Sequence, residues 1–368
     1  MGNTLMRIQG IGLATPGTPI KQTDLLDIAY RHNAQTRAER GRLERIYRGT
    51  HVDQRYSVLS GSAEDSREAM QCLDDFYEDE GHAERPGTLK RMEQYEHAVI
   101  HLAAKACQRA LLQSDCRPEE ITQLITVSCT GFSAPGMDLM LIGELGLDPC
   151  VGRTHVGFMG CHGAINGMRV ADAFARADPF ARVLLCCTEL CTLHFQYGND
   201  AQDAVANALF GDGAAALVGA GALVNQRGPR IKSFRSIQLP DTQGMMSWRI
   251  GNEGFRMRLS SQVPGQVKQQ LNPFVATWLA EHGLSIEAVG GWCIHPGGPK
   301  VLDGVGESLG LRPEQTQASR SVLREYGNMS SPTVLFIAER MREADIPKPW
   351  VMLGFGPGLA IEACLVMP

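Results

Sequence analysis

From residue 121 to the end of the chain, short apolar runs alternate with amphipathic stretches, and few folds accommodate that order. Residues 121–129 and 154–159 have the make-up of strands, 164–177 carries helical spacing, and 183–189 and 213–219 read as buried strands. A second run follows. It comprises a strand at 230–238, an amphipathic helix with Val267, Leu271, Val275, Trp278 and Leu279 on one face, a strand at 289–294, helices after Pro299 and over 332–343, and a strand, turn and strand over 351–367. Such alternation predicts an α/β protein, and the matching order of elements predicts two halves built alike. The small, polar, Gly-rich stretch 220–229 places their seam near Asn225, with an N-terminal half at 1–225 and a C-terminal half at 226–368. Residues before 95 mix charged helical patterns with acidic, turn-rich stretches such as 74–80, and predict a peripheral helical layer. Within 95–112, Val99, Leu102, Ala103, Ala106 and Ala110 predict a helix.

The chain has 368 residues, enough for two or three units of average size. Hydrophobic residues make up 43%, charged residues 20%, and the net charge is −5, a balance that favours neither nucleic acid nor an anionic membrane as partner. No apolar run reaches the roughly 18 residues of a membrane span, and no basic stretch followed by an apolar one opens the chain, so a cytoplasmic location is expected. Gly2-Asn3-Thr4 faintly matches a myristoylation signal, but no polybasic second anchor follows. Eleven cysteines, unpaired in spacing, are expected to be reduced thiols rather than a disulfide framework. Cys186, Cys187, Cys191 and His194 invite a metal reading. Adjacent cysteines on a strand point to opposite faces, however, so core thiols are expected and no metal.

Three residues far apart in sequence lie at equivalent places, the turns where a strand gives way to a helix. Cys161, in Gly160-Cys161-His162-Gly163, would meet backbone N–H groups and the positive end of a helix, which favours a thiolate. His295 ends a strand before Pro296-Gly297-Gly298-Pro299, and Asn328 precedes Ser331-Pro332, a pairing that reads as a helix N-cap. Singly, each has a bland structural reading: a core thiol, a buried ring, a turn amide. Together, at strand ends where α/β sheets bind ligands, they make a thiol enzyme's nucleophile, base and polar third group.

With Ala208–Ala216 (Ala-Leu-Phe-Gly-Asp-Gly-Ala-Ala-Ala), Tyr326-Gly327-Asn328-Met329-Ser330-Ser331 and Gly354-Phe355-Gly356-Pro357-Gly358 added, the chain resembles type III polyketide synthases, the chalcone-synthase-like family within the thiolase fold. The resemblance runs from about Ile8 to Val366 and is thinnest before Ile121. It implies a layered thiolase-like αβαβα fold of two similar halves. It also implies that Cys161 carries the acyl chain while His295 and Asn328 polarise a thioester carbonyl during decarboxylation of malonyl-CoA. Phe210 would be the aromatic gatekeeper, with Ser330, Gly356 and Pro357 bordering the cavity. Two donors aimed at an enolate oxygen could each be worth roughly 3 kcal/mol. An acyl-CoA starter and malonyl-CoA would be substrates, no metal or redox cofactor would be needed, and the products would be resorcinols, pyrones or chalcone-like compounds. A homodimer is implied as well, with Met137 reaching toward the partner's cavity.

Several residues depart from the plant enzymes of this family. Met257 stands at a second gatekeeper position, Trp248 where Gly is usual, Cys129 for a Thr, and Cys191 and His194 for cavity-side Thr residues, so product identity does not carry over. Arg48, Arg55 and Lys300 are the candidates for holding the CoA phosphates. An initiating-type ketoacyl carrier-protein synthase shares Cys, His and Asn and is the main rival. A Cys hydrolase or an inactive scaffold homologue are the others.

Overall fold

The computed structural model describes residues 5–61, 63–78, 85–224 and 227–368. The expected seam at Asn225, the Gly2 segment and residues 79–80 of the acidic stretch lie outside them. The N-terminal elements are β1 (Arg7–Ala14), β2 (Ile20–Lys21), α1 (Gln22–Asn33), α2 (Arg37–Gly49), β3 (Gln54–Arg55), α3 (Ser66–Glu78) and α4 (Thr88–Ser114). Next come β4 (Gln123–Ser128), α5 (Met137–Leu145), β5 (Gly152–Gly157), α6 (Gly163–Ala177), β6 (Arg182–Leu190), α7 (Ala201–Leu209) and β7 (Asp212–Ala220). The remainder holds β8 (Arg230–Gln238), β9 (Met246–Gly251), β10 (Gly254–Leu259), α8 (Val263–Ala280), β11 (Gly291–Ile294) and α9 (Pro299–Leu309). It closes with α10 (Gln317–Tyr326), α11 (Thr333–Glu343), β12 (Trp350–Gly356) and β13 (Ala360–Met367).

Nine strands form one sheet in the order β11-β12-β13-β8-β1-β7-β6-β4-β5. The two halves repeat one pairing scheme. In the first, β4 is parallel to β6, β6 antiparallel to β7, and β7 antiparallel to β1. In the second, β11 is parallel to β12, β12 antiparallel to β13, and β13 antiparallel to β8. Helices α6 and α11 fill the middle layer between them, in a core where Ala164, Met168, Leu335 and Ala338 meet strand residues of both halves. Helix α4 covers the outer face of β1, β6 and β7, and α8 and α9 cover the second half. Cys161 and Asn328 therefore stand where the middle-layer helices α6 and α11 begin, and His295 stands between β11 and α9.

The first 95 residues are not wholly peripheral. β1 is a central strand, bonded to β7 along its length. Glycines disguise it and also explain it: a Cβ on Gly12 would lie 2.1 Å from the Ala106 carbonyl oxygen, and one on Gly10 2.7 Å from that of Ala110. Here α4 packs on bare backbone, which removes the side chains that mark a strand. Cys186 and Cys187 do face opposite ways, one into the core beneath α4 and the other into the middle layer. Ser331 does not cap α11. Its hydroxyl donates to Glu189 Oε1 at 2.7 Å, and the residue preceding α11 is Pro332.

Candidate active site

Cys161 follows a turn in which Phe158 (φ 56°) and Gly160 (φ 80°) both take left-handed backbone. A Cβ on Gly160 would lie 2.5 Å from Pro357 Cδ, so the final glycine-rich loop presses directly on the turn that presents the thiol. The same loop clamps His162, because a Cβ on Gly356 would lie 2.3 Å from its ring. Cys161 is buried at 5% exposure, just before α6.

Asn328 comes to Cys161 from 167 residues away, its amide 4.0 Å from Sγ. The Ser330 N–H donates to Asn328 Oδ1 at 2.7 Å, which fixes the amide with its oxygen and nitrogen both 4.0 Å from the sulfur. That bond requires Ser330 to hold a left-handed φ of 58°, a strain of the kind folds retain at working sites. Backbone bonds to Leu209 and Gly211 hold Asn328 from both sides. His295 directly follows β11, is 0% exposed, and neither of its ring nitrogens has a partner among the described residues. Two unpaired nitrogens at full burial are costly, so they mark a site built to bond something brought into it.

Burial sets the ionisation here, and it overturns the expected thiolate. Removal from water pushes the Cys161 thiol up to about 11, against hydrogen bonding from Ser330 and Asn328, and Glu189 adds to the rise. Burial likewise pushes His295 down to about 3, with the His162 imidazole contributing. Both groups are neutral near pH 7. The helix terminus favours the anion less than complete desolvation disfavours it. No thiolate–imidazolium ion pair is therefore preformed.

A cavity of about 360 Å³ adjoins Cys161 and is bordered by Cys129, Cys191, Phe210, Trp248, Met257 and Ser330, with Pro357. Cys129 Sγ accepts the Gly160 N–H at 3.1 Å, and the Trp248 Nε1–H donates to the Cys129 carbonyl at 2.7 Å. The hairpin β9–β10, which presents Trp248 opposite Met257, had no clear sequence signal. His194 is placed differently from the expectation. It borders an adjoining chamber, where its Nε2–H donates to Thr130 O and its Nδ1 accepts from the Phe255 N–H, its ring stacked on Phe255 at 4.3 Å. Behind the wall lies Glu189, which sequence reasoning passed over. It accepts from Cys129 N, Thr130 Oγ1 and Ser331 Oγ, and burial raises its carboxyl to about 7.

The family model described as chalcone and stilbene synthases, N-terminal domain, matches residues 2–222, and the C-terminal domain model matches 231–368. The chain belongs to the chalcone and stilbene synthase family. It is 34% identical to the alpha-pyrone synthesis polyketide synthase-like Pks18 of Mycobacterium tuberculosis, covering 98% of this chain and 91% of that protein. It is 29% identical to the 3,5-dihydroxyphenylacetyl-CoA synthase of Amycolatopsis orientalis, covering 98% and 93%. Among solved structures, PKS-I of the brown alga Ectocarpus siliculosus superposes with a TM-score of 0.90 at 28% identity, covering 100% and 99%.

This type III polyketide synthase has a wide mouth beside α2, of about 1430 Å³ including its opening, where Arg42, Arg45 and Lys300 converge. Two of the expected phosphate-binding arginines are elsewhere. Arg48 lies on the outer shoulder of α2, paired with Glu44 at 2.7 Å. Arg55 is buried, its Nη1 donating to the carbonyls of Asn207 and Phe210 and its Nε to Gln22 Oε1. Arg42 and Arg45 were legible in principle: at i and i+3 they share a helical face with Ile46 and Gly49. Leu209 borders this mouth and the next residue, Phe210, borders the cavity at Cys161. No described helix is long and apolar enough to cross a membrane.

Proposed function

We propose that this type III polyketide synthase loads an acyl-CoA starter on Cys161 and extends it with malonyl-CoA. In loading, His295 takes the Cys161 proton, the sulfur attacks the thioester carbonyl, and the coenzyme thiol leaves with that proton. In extension, malonyl-CoA loses carbon dioxide, and the resulting enolate oxygen accepts hydrogen bonds from the ring N–H of neutral His295 and from the Asn328 amide. The enolate carbon attacks the acyl group, the Cys161 sulfur departs, and a β-ketoacyl-CoA forms. Repetition and ring closure give a resorcinol, pyrone or chalcone-like product; no metal or redox cofactor takes part. Phe210 acts as the gate between mouth and cavity, and Arg42, Arg45 and Lys300 hold the CoA phosphates. The observation that carries this reading is the placement of the Asn328 amide against Cys161, with both its oxygen and its nitrogen 4.0 Å from Sγ and the oxygen held by the Ser330 N–H.

The test supplies aliphatic and aromatic acyl-CoA starters with malonyl-CoA and no carrier protein. Cyclised products by mass spectrometry are expected. Cys161→Ala should abolish starter acylation yet retain some malonyl-CoA decarboxylation, whereas Asn328→Ala should lower decarboxylation by roughly a hundredfold. A strict requirement for carrier protein, or full product yield from Cys161→Ala, would contradict the proposal.

The protein also acts as a homodimer in this reading. Support comes from Phe132, Leu139, Phe158 and Met159, exposed large side chains near β5, one of the two edges of the sheet. Met137 has no part in it, since it is buried in its own chain's core.

A further inference from the structure

β1 follows β7 over seven paired residues but is in register with β8 only at Arg7 and Arg230. Past that pair the two halves diverge, and the gap is a cavity of about 730 Å³ including its open end. Its walls come from both halves and from both middle helices: Ile8, Met168, Leu217, Leu335, Ala338 and Val366. No residue borders both this cavity and the one at Cys161. Apolar walls with a few polar groups are typical of small-molecule sites.

Besides Gln9 and Gln113, the cavity is bordered by two cations of different standing. Arg342 is committed, its guanidinium bonded to both Glu339 carboxylate oxygens at 2.7 and 2.8 Å. Lys348 has no such partner. Its ammonium lies 4.3 Å from the centre of the Trp350 ring, and no carboxylate among the described residues lies within ion-pair distance. Partial burial lowers its pKa, against the field of Asp345. An ammonium stacked on an aromatic ring at the entrance of an apolar cavity offers a charge to an anion and a dry interior to a hydrocarbon.

We propose that this seam cavity binds an amphiphilic organic anion, a carboxylate with an aliphatic tail, the head on Lys348 and the tail between Met168, Leu217 and Leu335. The site is remote from the chemistry yet rests on the same two helices. Met168 lies seven residues along from Cys161 in α6, and Leu335 seven residues beyond Asn328 in α11.

The experiment is calorimetric titration of the full chain with decanoate, decanol and acetate. Decanoate should bind, acetate should not, and decanol should bind at least about tenfold more weakly, since it keeps the tail but loses the charge. Lys348→Met should weaken decanoate about tenfold, and Ala338→Phe, which places a ring in the cavity, should abolish it. Val366→Phe serves the same purpose should Ala338→Phe fail to fold. Alkylation of Cys161 beforehand should leave the affinity unchanged. No decanoate binding, binding indifferent to Lys348→Met and to the filling variants, or binding lost on Cys161 alkylation would each overturn the proposal.

Discussion

Glu189 accepts three hydrogen bonds and still has its carboxyl raised from 4.5 to about 7, because full burial outweighs them. A raised folded-state pKa stabilises the fold below the unfolded value, and that contribution is lost as pH climbs from about 4.5 through about 7. The loss amounts to roughly 3 kcal/mol. Glu189→Gln removes the titration, so the wild-type Tm should fall relative to the variant's across that window; parallel curves would refute the assignment. Arg55 and Arg45 offer a sharper contrast, since both are arginines near α2 but only one reaches the mouth. Arg55 holds the carbonyl of Phe210, whose strand bridge aligns Asn328, so Arg55→Met should lower kcat by tens-fold with KM for malonyl-CoA nearly constant. Arg45→Ala should raise that KM about tenfold and spare kcat. Steady-state kinetics separate the two, and a KM effect at Arg55 would restore it to the CoA site.

At the scale of elements, β1 shows what local patterning conceals. Gly10 and Gly12 weaken its strand signal, yet the close approach of α4 depends on them. Gly12→Ala would drive a methyl into the backbone of α4 and should cost about 3 kcal/mol, measured by denaturant unfolding. The β9–β10 hairpin escaped notice for another reason. Its residues Met246-Ser247-Trp248-Arg249-Ile250-Gly251 mix charge with bulk, because one side borders the cavity while Arg249 and Ile250 face solvent. By contrast β6, β7, α6 and α11 were legible within two residues, since β6 and β7 are continuous apolar runs buried on both faces and α6 and α11 are runs of small and apolar residues beginning just after a Gly- or Ser/Pro-containing turn.

Over the whole molecule, the repeated pairing scheme puts β5 and the exposed Phe132 and Phe158 at one end and the seam cavity between the halves. Phe158→Asp should shift the protein from dimer to monomer in light-scattering chromatography, and a wild-type monomer would exclude the proposed assembly. The main strand and helix alternation after residue 121, the family and the three residues between strands and helices were legible in the sequence alone, because they rest on periodicity and short motifs that neighbours encode. Which arginines face the mouth, where Ser331 and His194 point, and the neutral state of Cys161 and His295 were decided only by the tertiary structure. Those properties follow from desolvation and from contacts between residues such as Cys161 and Asn328 or Arg55 and Phe210, separated by 167 and 155 positions, which no local pattern carries.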